Sequence, residues 1–331
     1  MSNTTIYDVA GAAKVSLATV SRVLNNPEKV KPDTRERVLK VIKELGYRPN
    51  AIARGLASRR TTTVGVIVSD MGRASVAQML GGIIDIAKEY KYSIKLFAIE
   101  EANQTEDVVR DVIAEQVDGV LYLNDELEAS CVKLLTKMFR DNEIPMVFTN
   151  VVSDDEKIPF VSIDYEKAAF ELTNKMINEG RKNIYLLSTT RQYTVNIKKE
   201  LGYTKAMQEA NLEPKIFRTS GDTYINRPHF NEFFANNPVD GAIGVRDSIA
   251  ISFVNVARDH GHNIPKDISV AGFQNTKYAI LARPALTCID IPVYDIGAVS
   301  MKLLTKYMNN EEVTENKVLL PHRIVCRATT K

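Results

Sequence analysis

The side chains best suited to doing chemistry lie near the start of the chain. Ser16, Leu17, Ala18, Thr19, Ser21 and Arg22 fall within one short stretch that is rich in small residues and ends in a cation. A helix of that make-up can enter the major groove of DNA, where an arginine gives two hydrogen bonds to a guanine edge. Lys31 and Arg35 follow a short way on and suit phosphate contacts, which fix register without reading sequence. Other chemistry is hard to find. There is no Gly-x-x-x-x-Gly-Lys phosphate loop and no Gly-x-Ser-x-Gly elbow. His260 and His262 flank a glycine, but no nearby acid or cysteine completes a metal site, so a surface turn is expected there. Cys131, Cys288 and Cys326 are odd in number and far apart, which fits isolated thiols rather than a disulfide framework or zinc cluster. Nothing pairs the carboxylates for acid–base work, so no enzyme is expected, and neither a metal nor a cofactor.

Charge supports the nucleic-acid reading. Residues 1–60 hold twelve Lys and Arg against five acids, a net +7, whereas the whole chain of 331 residues carries only +2. A small basic head on a mildly acidic body is the electrostatic footprint of nucleic-acid binding. With 44% hydrophobic and 25% charged residues, the composition is globular. No apolar run reaches membrane-spanning length, and Met1 to Ile6 show no charged-then-apolar signal, so no membrane partner and a cytoplasmic location are expected.

The elements that must position these side chains follow from the apolar spacing. Thr4 or Thr5 can cap a first helix, with Asp8 in its first turn and Ile6, Val9, Ala10 and Ala13 as its apolar stripe. Ser16 caps a second helix, Leu17 to Leu24, with Val20, Val23 and Leu24 inward and Leu17, Ala18, Ser21 and Arg22 outward. Asp33 is expected to cap a third, with Val38, Val41, Ile42 and Leu45 inward and Gly46 at its end. This is the plan of a helix-turn-helix unit. Pro49 to Ser58 is a short helix-prone segment that Gly55 weakens by roughly 0.5–1 kcal/mol, so it is not expected to stand alone.

From Val64 onward, strand-like and helix-like segments alternate: strands over Val64–Val68, Tyr92–Ala98, Gly119–Leu123, Pro145–Phe148, Asn183–Ser188, Lys215–Arg218, Gly241–Val245 and Ile268–Phe273. Helices are expected over Thr105–Glu115, Leu127–Arg140, Tyr165–Glu179, Val195–Ala210 and Ile249–Asp259, with another ending before Asn236. Repeated βα units imply parallel sheets covered by helices on both faces. Val117 to Tyr122 is echoed by Val239 to Gly244, which two similar doubly wound lobes would explain. The chain would cross between them near Val161–Tyr165 and return near Thr287–Val293, leaving a hinged cleft at the carboxyl ends of the strands.

Tyr7-Asp8-Val9-Ala10, Val15-Ser16, Thr19 to Val23 and Gly46 to Asn50 closely resemble the DNA-binding head of the lactose-repressor family. The resemblance implies an all-α helix-turn-helix head (1–48), a hinge helix and linker (49–60) and an α/β body (61–331). The body would be two doubly wound parallel-sheet lobes like periplasmic binding proteins. Lobe 1 would take about 61–162 and 291–322, and lobe 2 about 163–290 and 323–331. A homodimer on a pseudo-palindromic operator is implied. Operator contacts would come from Thr5, Tyr7, Ser16, Leu17, Ala18, Thr19, Ser21, Arg22, Asn25, Lys31, Arg35, Tyr47, Asn50 and Ala53. Leu56 would wedge into the minor groove and kink the duplex.

Arg54 to Ser58, Thr61 to Ile67, Tyr294 to Val299, Leu303 to Asn309 and Leu320 to Ile324 resemble the catabolite-control regulators of Gram-positive bacteria within that family. Their co-regulator is the phosphocarrier HPr, phosphorylated on serine. The resemblance places it on the helix that starts at Tyr294, with Asp295 pairing a basic residue of HPr and Asp85 and Tyr90 coming from the facing lobe. Lys302 and Lys306, one turn apart, and Arg323 would meet the phosphate.

Departures from the family fall on the helix from Tyr294 and in the cleft. Lys302 stands where the family has Arg. No aromatic residue accompanies Arg73-Ala74-Ser75-Val76. Gln274 follows Gly272-Phe273 where sugar-responsive relatives carry Asp, Arg246 precedes Asp247 where they have Asn or Thr, and Lys199 replaces an arginine that grips a sugar hydroxyl. These losses argue against a free sugar as main effector. Arg246 with Lys199 either suits a small anionic or sugar-phosphate effector or is a pair of solvated cations at a cleft rim. An operon-specific repressor governed by such a ligand is the alternative to catabolite control.

Overall fold

A computed structural model describes residues 4–47, 61–69, 71–99, 105–123 and 125–331. The chain divides into two compact units, Met1–Thr61 and Thr62–Lys331.

The first unit contains helices α1 (Ile6–Ala13), α2 (Leu17–Asn25) and α3 (Pro32–Glu44), with a single 3-10 turn at Pro27–Lys29. Thr5 is the N-cap of α1: its hydroxyl accepts from the Asp8 amide, and the Asp8 carboxylate accepts from the Thr5 amide at 2.7 Å. Such a reciprocal box satisfies two orphan donors, and a cap of this kind is worth about 1 kcal/mol. Ser16 caps α2, accepting from the Thr19 amide at 3.2 Å. Val9, Ala10, Ala13, Val20, Val23 and Val38 form the buried centre, and Ile6, Leu24, Val41, Ile42 and Tyr47 pack around it. Two expectations change here. The N-cap of α3 is Lys31 rather than Asp33, because Pro32 forces its predecessor extended and itself suits the first helical position. Asp33 lies in the first turn instead, where its charge meets the helix dipole. Leu45 is not inward: it is the C-cap, 39% exposed, with the chain leaving the helix through Gly46 at φ 61.

The second unit holds two six-stranded sheets. Its elements are β1 (Thr63–Val68), α4 (Ala74–Glu89), β2 (Ser93–Ala98), α5 (Thr105–Ala114), β3 (Gly119–Leu123), α6 (Ala129–Asp141), β4 (Met146–Thr149), β5 (Phe160–Ile163), α7 (Tyr165–Asn178), β6 (Ile184–Thr189), α8 (Thr194–Glu209), β7 (Lys215–Thr219), α9 (Thr223–Asn236), β8 (Gly241–Gly244), α10 (Asp247–Asp259), β9 (Ser269–Gln274), α11 (Lys277–Leu281), β10 (Thr287–Asp290), α12 (Val293–Met308), β11 (Lys317–Leu320) and β12 (Arg323–Val325). One sheet runs β11-β5-β4-β3-β1-β2 and the other β12-β10-β9-β8-β6-β7. All pairings are parallel except β10 with β12. The echoed segments fall on β3 and β8, which hold the same place in the two sheets. The inner strands β3, β4 and β8 are buried along their whole length, as strands covered on both faces must be, while the edge strand β2 is mostly exposed.

The chain passes between sheets three times: from β5 to α7, from β10 to α12, and from β11 to β12. Each sheet also carries a pair of tightly packed helices, α4 with α12 and α7 with α8. Gly82 and Gly297 make the first seam possible. A Cβ on Gly82 would lie 2.1 Å from the Tyr294 carbonyl, and one on Gly297 2.0 Å from that of Met79. No side chain fits at either place.

Candidate nucleic-acid interface, cleft and co-regulator face

On the head, Leu17, Ala18, Ser21 and Arg22 are all exposed on α2, whose apolar residues Val20 and Val23 are buried. The strong two-sidedness of this short helix turns its polar face outward and leaves Arg22 in the last turn. Ser16 and Thr19 are occupied with each other as well as with the cap, their hydroxyls 2.9 Å apart. Thr5 and Tyr7 are exposed at the start of α1, Tyr7 by 70%. Lys31 is exposed, Arg35 and Tyr47 are half-buried. Arg48, Asn50, Ala53 and Leu56, and the side chain of Asn25, lie outside the described residues.

In the body, a cleft opens at the carboxyl ends of β1, β7, β8 and β9, where a cavity of about 540 Å³ is lined by Arg73, Ser75, Arg246, Asp247, Gln274 and Thr276 among others. Its charges are already engaged. Arg73, just before α4, meets Asp125 Oδ1 at 2.8 Å and Glu126 Oε1 at 3.6 Å. Gln274 Nε2 donates to Asp125 Oδ2 at 2.9 Å. Arg246 pairs with Glu126 and donates to the Gly221 carbonyl at 2.8 Å. Burial alone would raise the Asp125 carboxyl, but the Arg73, Lys199 and Arg246 cations outweigh it and hold it below the usual range.

Lys199 is not a solvated cation at a rim. It is 1% exposed, because α8 turns it inward, where its ammonium donates to the Val245 carbonyl at 2.9 Å. The rings of Tyr165 and Phe273 lie 4.7 and 4.9 Å from it. Burial pushes this lysine down to about 7, against the opposing pull of Asp125. Asp247 is likewise buried and accepts from the Thr276 amide and hydroxyl at 2.6 and 2.9 Å. Burial raises it to about 7 despite those bonds. Arg73 and Arg246 are also largely covered, their side chains 13% and 15% exposed. Asp125, Glu126 and Tyr165 are cleft residues that the sequence reading passed over. Their signal is position: two acids directly after the buried strand β3, and an aromatic at the first crossing.

The face formed by α4 and α12 differs from expectation in one respect. Asp85 and Tyr90 do not come from the facing lobe. They lie on and just after α4, in the same lobe as α12, because the glycine seam draws the two helices together. Tyr294 donates its hydroxyl to Asp85 at 2.7 Å, which holds that phenol above its ordinary range. Asp295, Lys302 and Lys306 are exposed along α12. Arg323 stands on β12 of the other sheet, paired with Asp290 at 2.7 Å.

His260 bonds Asn231 and stacks on Phe234, His262 lies beside the same ring, and among the described residues no group of three metal-ligating side chains occurs. The three cysteines are free. No described helix is long and apolar enough to cross a membrane.

A basic helix-turn-helix head joined to a two-lobed body with a cleft at its strand ends defines a DNA-binding transcription regulator with a periplasmic-binding-like effector domain. Comparison with known proteins agrees at every level. Residues 5–50 match the family of bacterial regulatory proteins called lacI, and residues 173–330 match the periplasmic binding protein-like domain. Catabolite control protein A of Priestia megaterium is 42% identical over 99% of this chain and 100% of its own. That of Staphylococcus xylosus is 40% identical over 99% of both. The crystal structure of transcription regulator CcpA of Lactococcus lactis superposes with a TM-score of 0.75 at 30% identity, covering 82% of this chain and 100% of that one. A lac repressor dimer bound to operator and the anti-inducer ONPF shares the fold with a TM-score of 0.88 at 23% identity, covering 99% of each chain. The chain belongs to the lacI family of bacterial regulatory proteins. Within it, the chain is a DNA-binding transcription regulator like catabolite control protein A, and not an enzyme.

Proposed function

We propose that this protein is a cytoplasmic regulator of carbon catabolite control that binds a pseudo-palindromic operator as a homodimer, with serine-phosphorylated HPr as co-regulator. The head is residues 1–48, the hinge 49–60 and the body 61–331. The observation that carries the co-regulator reading is the α4–α12 face. Lys302 and Lys306 stand exposed one turn apart on a helix whose first turn is tied to Asp85 through the Tyr294 hydroxyl. A phosphoserine carries close to two negative charges, and two lysines offer it charge-assisted hydrogen bonds. Lysine gives a point charge without the arginine fork, so the complex is weaker than an arginine there would make it. Arg323 already holds Asp290 and is the less available cation.

The dimer reading is supported by large apolar side chains left exposed on both lobes: Ile84 and Leu96 in the first, and Tyr278, Ile280 and Leu281 in the second. A second copy would cover them. Titration of phosphorylated and unphosphorylated HPr against the wild type and Lys302→Glu tests the co-regulator. We expect the wild type to prefer the phosphorylated form by at least tenfold, and the charge reversal to remove that preference. Equal binding of both forms would instead favour a repressor governed by a small ligand.

A further inference from the structure

The cleft residues that look ready for an anionic ligand already have one. Asp125 and Glu126 enter from lobe 1 on the segment after β3 and meet cations from both lobes. Asp125 is 5% exposed, with Arg73 on one oxygen and the Gln274 amide on the other. Glu126 faces Arg73 and, across the cleft, Arg246. We propose that these two carboxylates are an intramolecular ligand: they clamp the lobes together in the place of a free anion, and a small anion enters only by displacing them.

Further observations converge on this. Gln274 and Arg246 belong to lobe 2 and Asp125 and Glu126 to lobe 1, so both contacts span the cleft rather than brace one wall. Gln274 sits at φ 107, a conformation that side-chain-bearing residues rarely adopt, so its backbone is strained where its amide reaches Asp125. Its chemistry also fits the clamp. An aspartate at 274 would set a second carboxylate against Asp125, whereas the glutamine amide donates to it. Finally, the same segment continues the contact between lobes: the Thr194 amide donates to the Leu127 carbonyl at 2.9 Å, and Glu128 bridges to Tyr193. Paired charges buried to this degree hold each other because leaving either alone is costly.

The test uses the full-length protein, inorganic phosphate as the probe, and two variants. Asp125→Asn keeps shape and an acceptor for Gln274 but removes the charge. Glu126→Gln changes the more exposed carboxylate and carries the test should the first variant fail to fold. Calorimetry should show phosphate binding at least tenfold tighter in the variants than in the wild type. Hydrogen exchange at the Thr194 amide should speed up at least tenfold in the variants, and phosphate should slow it again. Unchanged exchange in the folded variants overturns the proposal, and so does wild-type phosphate affinity equal to theirs. Operator binding is not read in either assay, so the result stands apart from the proposed function.

Discussion

Arg22 is the side chain on which discrimination between DNA sequences should depend most. It is exposed at the end of a helix whose other outward residues are small, so it can reach a base edge without obstruction. A bidentate contact to guanine is worth roughly 1–3 kcal/mol. Arg22→Ala should therefore lower operator affinity by about 5- to 150-fold while leaving random DNA nearly unaffected. Lys31→Ala should weaken both alike, because phosphates carry no sequence. Fluorescence anisotropy with the two duplexes separates these roles, and an equal loss on both for Arg22→Ala would show it misassigned. A second residue, Lys199, makes stability depend on pH. In the folded state it titrates near 7, against 10.5 in the unfolded chain. Between those values the unfolded chain holds a proton that the folded one lacks, so Lys199 makes stability rise with pH by up to about 1.4 kcal/mol per unit. Lys199→Met should flatten that rise in urea unfolding measured from pH 7 to 9. A parallel slope in the variant would place the proton elsewhere.

Among the elements, the seam between α4 and α12 decides how the proposed co-regulator face is built. Gly82 and Gly297 each bring the other helix's backbone within about 2 Å of where a Cβ would stand. Gly297→Ala should force the helices apart and destabilise the lobe by about 1–3 kcal/mol, the usual range for overpacking. Calorimetry would register this as a lower melting temperature, and binding of phosphorylated HPr should fall with it. An unchanged melting temperature would mean the seam is slack. The elements also show what was readable beforehand. α1, α2 and most strands stand out because a cap or a continuous apolar run marks each one, as Thr5, Ser16 and Val64–Val68 do. The helix α4 does not stand out: Gly81 and Gly82 interrupt its middle, and only packing against α12 explains Gly82. An amino-acid sequence leaves open whether Lys199 meets an anionic ligand or stands solvated at a rim, because it does not show that the Val245 carbonyl and two rings await its ammonium. The partners of the cleft cations, Asp125 and Glu126, are far away in sequence from Arg246 and Gln274, and only the fold brings them together.

For the whole molecule, two sheets of matching strand order and three crossings make a body whose two halves can act on each other, and the head supplies the address on DNA. The basic head and acidic body keep non-specific attraction to one end of the chain. If regulation works as proposed, occupancy of the α4–α12 face must be felt as a change in operator affinity, since linkage makes any such coupling reciprocal. The most direct measurement is operator affinity of the full-length protein at fixed salt, with phosphorylated HPr, with unphosphorylated HPr and with neither. The account predicts that the phosphorylated form alone tightens binding, by about tenfold or more, and that operator binds one dimer. Identical affinities in all three conditions would contradict it.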